Sequence, residues 1–153
     1  RIIERQAVAY WSDDALLSDT GELFRPENIN KEMKIPAIKG PDGLQHQVWG
    51  FLVSLHTELS GLGLDVNALE LDERRSWSML LSNGVELQLG RNDTKRRIQS
   101  FVKVFSMQNA PNIDDIKYID LRYPNGFAMK SRIPPENQHD AGLDHISGWV
   151  RHV

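Results

Sequence analysis

Asn83-Gly84, set between the apolar run around Met79-Leu80-Leu81 and the alternating VELQL that follows, constrains this chain more than any other feature of its sequence. Asparagine and glycine reach positive φ at little steric cost, and the type I′ turn that closes a two-residue β-hairpin asks for it at both central positions. The dipeptide therefore predicts a tight hairpin, with Trp77 to Leu81 as its first strand and Val66 to Leu71 as the strand before it. A chain committed to a hairpin here is building a sheet.

The flanking segments extend that sheet. RIIERQAVAYW alternates loosely and reads as one or two short strands, while Ala15 to Leu17 and Glu22 to Phe24 flank the turn former SDTG as a second hairpin. Pro26, Pro36, Pro41, Gly40 and Gly43 make 25–43 mostly loop, with a short strand at Ile35 to Ile38. From Leu44 to Leu59, Val48, Phe51, Leu52, Leu55 and Leu59 recur at three- and four-residue spacing, the stripe of an amphipathic helix that Gly61 would cap. A second helix is expected to start at an Asp93 N-cap, to bury Ile98, Phe101, Val102 and Phe105, and to leave Lys95, Arg96, Arg97 and Lys103 in water. Ile116 to Tyr123 alternates as a strand, YPNGF is a hairpin loop, and Phe127 to Ser131 is the last strand before Pro134-Pro135. The fold class is α+β: a mostly antiparallel, meander-like sheet with two amphipathic helices packed on it and an exposed C-terminal edge strand.

Composition bounds the function. A chain of 153 residues is about one domain, and a net charge of -3 from 18 basic and 21 acidic side chains excludes a polybasic nucleic-acid binder. Zero cysteines exclude a disulfide framework, a thiolate metal site and a cysteine nucleophile. No apolar run approaches the length of a membrane helix, and a chain opening on Arg1 reads as a processed piece whose anchor lies upstream.

Chemistry-bearing motifs are sparse. The histidines form no HExxH pair; His46 and His56 would lie roughly 15 Å apart on one helix, too far to share an ion. His139-Asp140 with Asp144-His145 could hold a divalent ion but reads more simply as a solvated tail. Asn92 to Thr94 could offer backbone N–H groups to an anion, against the plainer reading of a capped helix with a basic face. With no GxSxG, SxxK or phosphate loop, no catalytic residue, cofactor or metal ligand is assigned. Arg74-Arg75 before Ser76-Trp77 can pair carboxylates on a partner, or equally an internal acid or the Trp77 face.

Taken jointly, IIERQAVAYW, ERRSWSMLLSNGVELQLGRNDTKRRIQSFVKVF and IKYIDLRYPNGFAMK followed by IPPE resemble the β domain of the bacterial FtsQ/DivIB family over roughly residues 1–136. Ala7 stands where relatives often carry Pro ahead of A-x-W. The resemblance implies that 1–5 end a preceding POTRA-type domain, 6–135 form the β domain and 136–153 are a polar tail. It further implies a non-enzymatic scaffold at the division site, anchored in the inner membrane by one upstream helix with this domain in the periplasm. Its partners would be the FtsB–FtsL pair and other divisome proteins, helping to assemble septal cell-wall synthesis, with no nucleic acid and no cofactor. A periplasmic ligand-binding module and a small hydrolase remain as other classes.

The last strand carries the sharpest expectation. A strand reached by a tight hairpin and followed by Pro-Pro has an open outer edge, which sequence alone leaves either as protected by Lys130, Arg132 and Pro134 or as a template for another chain. The resemblance implies the second: FtsB adds a strand to Phe127, Ala128, Met129 and Lys130. It also implies that Arg74 and Arg122 meet partner carboxylates, that Tyr123 offers an aromatic surface, and that Asn125 and Gly126 leave room beside it.

Overall fold

The computed structural model describes residues 6–124 and 126–132. The expectations placed on 1–5, Asn125, Pro134 and the tail 136–153, including His139 and His145, fall outside the described residues. Chain order is β1 Ala7–Trp11, β2 Ala15–Ser18, β3 Leu23–Phe24, β4 Ala37–Lys39, α1 Gln45–Leu59, β5 Val66–Leu71, β6 Trp77–Leu81, β7 Glu86–Gly90, α2 Thr94–Phe105, β8 Ile116–Asp120 and β9 Ala128–Ser131.

The described strands form one sheet of nine in the order β3-β2-β1-β4-β5-β6-β7-β8-β9. It is mixed, which corrects the expected meander. The β1–β4, β4–β5 and β7–β8 pairs are parallel, and the other five pairs are antiparallel. Parallel neighbours in sequence need a crossover, and each helix supplies one: β4-α1-β5 and β7-α2-β8 are both βαβ units. The short strand in the proline-rich segment lies at Ala37–Lys39 rather than Ile35 to Ile38, and β8 ends at Asp120 rather than Tyr123.

Three of the hairpins, β2–β3, β5–β6 and β6–β7, share one turn chemistry. In Ser18 to Glu22, Asp72 to Ser76 and Leu81 to Val85, the fourth residue donates its N–H to the first residue's carbonyl at 2.9–3.0 Å. That fourth residue sits at positive φ: Gly21 at 87°, Arg75 at 67° and Gly84 at 91°. This is a three-residue loop with a left-handed bulge, not the I′ turn expected at Asn83-Gly84; Asn83 stays at negative φ and its Oδ1 instead accepts the Val85 N–H at 3.2 Å. Asp72 does the same work in its turn, accepting from the N–H groups of Arg74 and Ser76 at 2.8 and 2.9 Å.

Both helices cover the same face. α1 buries Val48, Leu52, Leu55 and Leu59 against β4 and β5, α2 buries Ile98, Phe101 and Val104 beside β7, and the two helices touch. Val104 replaces the expected Val102 and Phe105, which are only half-buried. α1 runs on into a 3-10 turn over Ser60–Leu62, so Gly63 at φ 69°, not Gly61, ends it. Asp93 does occupy the N-cap of α2, but at φ 53° its side chain caps no backbone N–H and meets Arg96 Nη2 at 3.4 Å. Trp11 and Trp77 are buried in the core, and Phe51 packs on Trp77 with ring centroids 4.3 Å apart. Among the described residues the opposite face carries no helix; across it runs a groove of about 370 Å³ lined by Ala37, Ala68, Ser78, Gln88 and Tyr118 among others.

Candidate functional site

β9 ends the sheet and, among the described residues, pairs with β8 alone. Its register sets Asp120 against Ala128, Ile119 against Met129 and Tyr118 against Lys130. The Arg132 N–H donates to the Asp115 carbonyl at 2.9 Å, so the period of two turns the backbone groups of Lys130 and Ala128 towards β8 as well. The partner strand agrees: the Leu121 N–H reaches back to Gln88 on β7 at 2.8 Å, leaving Asp120 and Tyr118 to face β9. Met129 alternates with these residues, so its N–H and C=O face outward from the sheet edge. The same alternation sends its side chain into the core, where it is 4 % exposed.

The β8–β9 connection is anchored at both ends by apolar side chains and organised between them by arginines. Leu121 and Phe127 are buried, and Phe127 lies 6.4 Å from Phe101 of α2, centroid to centroid. Between them Arg122 and Pro124 are exposed, Tyr123 is 42 % exposed and Gly126 adopts φ 145°. Arg122 forks onto Asp120, with Nε to Oδ1 at 2.9 Å and Nη2 to Oδ2 at 2.7 Å, while its own N–H donates to Oδ1 at 3.0 Å. Burial opposes the charge on Asp120, but the hydrogen bonds from the Arg122 side chain and backbone, with the charges of Arg122 and Arg97, outweigh it and hold the carboxyl below its usual range. Arg122 is pushed up in turn by the Asp120 hydrogen bond and charge. Burial, followed by the Asp120 charge, raises the phenol of Tyr118.

Three residues that matter here were not singled out from the sequence. Asp120 holds Arg122; the signal was the Asp-x-Arg spacing, which puts both side chains on one face of a strand. Arg97, expected to stay in water, donates from Nε to the Asn92 carbonyl at 2.9 Å and from Nη1 to the carbonyls of Leu121 and Tyr123, the latter at 3.1 Å. Gly90, at φ 81°, is crossed by the Arg122 stem: a Cβ there would stand 2.9 Å from Arg122 Cγ. Arg132, expected to guard the edge, instead ties the end of β9 to the Asp114 and Asn83 carbonyls at 3.0 and 2.9 Å.

The expected residues therefore fall into one cluster and one outlier. Arg122, Tyr123, Gly126, Phe127, Ala128, Met129 and Lys130 are contiguous along the connection and the edge, whereas Arg74 sits on the β5–β6 turn. The two places share one end of the sheet, because β5 and β8 both end there and β6 starts there. The Arg74 guanidinium is exposed and joins no ion pair among the described residues, where Arg25, His56, Arg96 and Arg122 do. Among the described residues no three His, Cys, Asp or Glu side chains gather as a metal ion would require, and no helix is long and apolar enough to cross a membrane.

Known proteins resemble this chain in sequence. The family described as "Cell division protein FtsQ/DivIB, C-terminal" matches residues 9–122, stopping at the forked arginine. A protein of Xanthomonas campestris pv. campestris named "Cell division protein FtsQ" is 40 % identical over 147 residues, covering 94 % of this chain and 50 % of its own length. Proteins of the same name from Actinobacillus pleuropneumoniae and Vibrio cholerae are 35 % and 32 % identical, each over 84 % of this chain and over 56 % and 49 % of their own length. The chain thus spans about half the length of the curated relatives it matches.

Proposed function

The chain belongs to the FtsQ/DivIB family of cell-division proteins, and on that premise we propose that it is a non-catalytic docking domain holding the FtsB–FtsL pair, with a strand of FtsB added to β9. The observation that carries the reading is the terminal place of β9 in the sheet, with the Met129 N–H and C=O turned outward. An outward row of this kind gives affinity through main-chain hydrogen bonds, and neighbouring side chains give specificity.

Those side chains are close by. Arg122 spends Nε and one Nη2 hydrogen on Asp120, so a partner carboxylate would take the remaining guanidinium edge. Tyr123 offers a half-exposed ring to an apolar anchor, and Gly126 beside Asn125 keeps the approach free of bulk. Arg74 gives a second positive contact at the same end of the sheet and needs no internal partner to be displaced. In this reading the rest of the full-length protein supplies the membrane anchor and places the domain in the periplasm at the division site.

Amide hydrogen exchange tests the reading without a mutation. In the free chain the Ala128 and Lys130 amides are protected by β8 while that of Met129 exchanges fast. On saturation with FtsB–FtsL, Met129 becomes protected too. A saturated complex in which the Met129 amide stays as fast as in the free chain would overturn strand addition at this edge.

A further inference from the structure

The geometry points to Arg97 of α2 as a positioning residue for the partner-binding edge, one that aims the β8–β9 connection without touching the partner. This rests on the docking reading above. The Arg97 guanidinium gathers three backbone carbonyls from two separate stretches of chain: Asn92 at the entry to α2, and Leu121 and Tyr123, which lie 24 and 26 residues further on. Pinning the carbonyls of residues 121 and 123 fixes the peptide plane that enters Arg122 and the one that leaves Tyr123, and so brackets the two residues between them. The direction in which Arg122 leaves the backbone is thereby set from another element.

Surrounding contacts convert that backbone setting into a side-chain setting. Arg122 crosses Gly90, where a Cβ would stand 2.9 Å from its Cγ, and then forks onto Asp120, which is 7 % exposed. Arg97 adds its charge near the same carboxylate. Without Arg97 the connection would lose the two carbonyl contacts that reach it from α2, along a stretch where Arg122 and Pro124 are exposed and Gly126 takes positive φ. The entropy of fixing those residues would then be charged to the binding step. Arginine suits this place because its planar fork serves separated carbonyls at once, which the compact ammonium of lysine does not.

The test uses this chain with FtsB–FtsL as the probe. Arg97→Ala is expected to speed amide exchange across 121–127 in the free chain and to lower affinity about tenfold, the cost of ordering one or two residues on binding. Free guanidinium ion at tens of millimolar should restore much of that affinity to Arg97→Ala and nothing to the wild type. Val104→Ala, which removes a fully buried side chain from the same helix, serves as a stability-matched control and should bind as the wild type does. If Arg97→Ala fails to fold, Arg97→Lys carries the test, since it keeps the charge and the stem but loses the fork, and the same affinity loss is expected. Wild-type affinity in folded Arg97→Ala or Arg97→Lys, or an equal loss in Val104→Ala, overturns the inference while leaving strand addition intact. Absence of Met129 protection in the wild-type complex overturns both.

Discussion

Arg122→Ala should destabilise the fold by an amount that depends on pH, because the two partners of its ion pair are buried unequally. Asp120 is 7 % exposed and accepts three hydrogen bonds, all from Arg122, whereas the Arg122 side chain is 54 % exposed. Removing the arginine strands a carboxylate away from water; removing the carboxylate returns a guanidinium to water it already touches. Hydrogen bonds to charged groups are worth about 1.5–3 kcal/mol, and discounting for the exposed arginine leaves about 1–2 kcal/mol at neutral pH. At roughly 2–4 °C per kcal/mol for a chain of this size, the melting temperature should fall by about 3–6 °C. The folded pKa of Asp120 lies below its unfolded value, so the pair's contribution is fully present above about pH 4 and is lost as pH falls through the folded pKa. In Arg122→Ala the two side-chain hydrogen bonds and the charge of Arg122 are gone while the backbone N–H of residue 122 still donates to Asp120, so burial is opposed less and the pKa of Asp120 rises. The difference between wild type and variant should therefore shrink on going from pH 7 to about pH 3. Urea unfolding of both proteins at the two pH values, followed by tryptophan fluorescence, measures it. An equal difference at both pH values, or a larger cost for Asp120→Asn than for Arg122→Ala at pH 7, would refute the reasoning.

Gly90→Ala should cost more than about 1 kcal/mol in thermal unfolding, since the new Cβ meets Arg122 Cγ at 2.9 Å and the site has φ 81°; a melting temperature at the wild-type value would count against the crossing. Arg75→Gly should raise the melting temperature slightly, because relieving an arginine held at φ 67° outweighs by up to about 1 kcal/mol the entropy that glycine adds to the unfolded chain. Arg74→Glu should slow association with FtsB–FtsL and leave melting unchanged, as surface plasmon resonance beside calorimetry would show; lowered melting with normal binding would assign Arg74 to the fold instead.

What the sequence made legible was local. Strands β5 and β6 begin and end where alternation placed them, at Val66–Leu71 and Trp77–Leu81, because each is half-buried and flanked by turn residues. Hairpins were legible as hairpins, yet not their turn type: Asn83-Gly84 permits I′, but Ser82 joins the loop and only Gly84 takes positive φ. The parallel pairs were hidden although their parts were not: a short strand near 35–38 and the strand in VELQL are each followed by an expected helix and a further strand, but strand direction is not carried by alternation, and neither β4-α1-β5 nor β7-α2-β8 stands out as a crossover unit. Arg97 was hidden for a different reason. A basic residue in KRR reads as solvated, although its spacing to Phe101 and Val104 places it beside the buried stripe, and its partners arrive two dozen residues later. Where β9 lies was legible, but the direction of its N–H groups was not, and that direction changes the experiment. A proline at 128 or 130 would break the β8 ladder, whereas one at 129 would also empty a core position, so Met129→Ala must accompany Met129→Pro as its control.

Among the described residues, the terminal place of β9 follows from how this sheet is assembled. The β4–β5 and β7–β8 pairs are each made by a helix crossing one face, while β1 and β4 are joined through β2, β3 and the loop after them, so α1 and α2 come to lie together and cover that face of the sheet. β9 then joins β8 through a short connection that needs no covering element, and it extends the sheet beyond the last crossover. At the opposite end the sheet stops in β3, a strand of two residues, which presents too short a row to template another chain. The two edges are therefore unequal, and the longer one has its outward backbone flanked by a fixed arginine fork, an aromatic ring and a positive-φ glycine. Under the proposed docking, a strand added there would extend an existing ladder and also meet Arg122, so one partner carboxylate would set the register, which the backbone alone, with hydrogen bonds that repeat every two residues, does not distinguish.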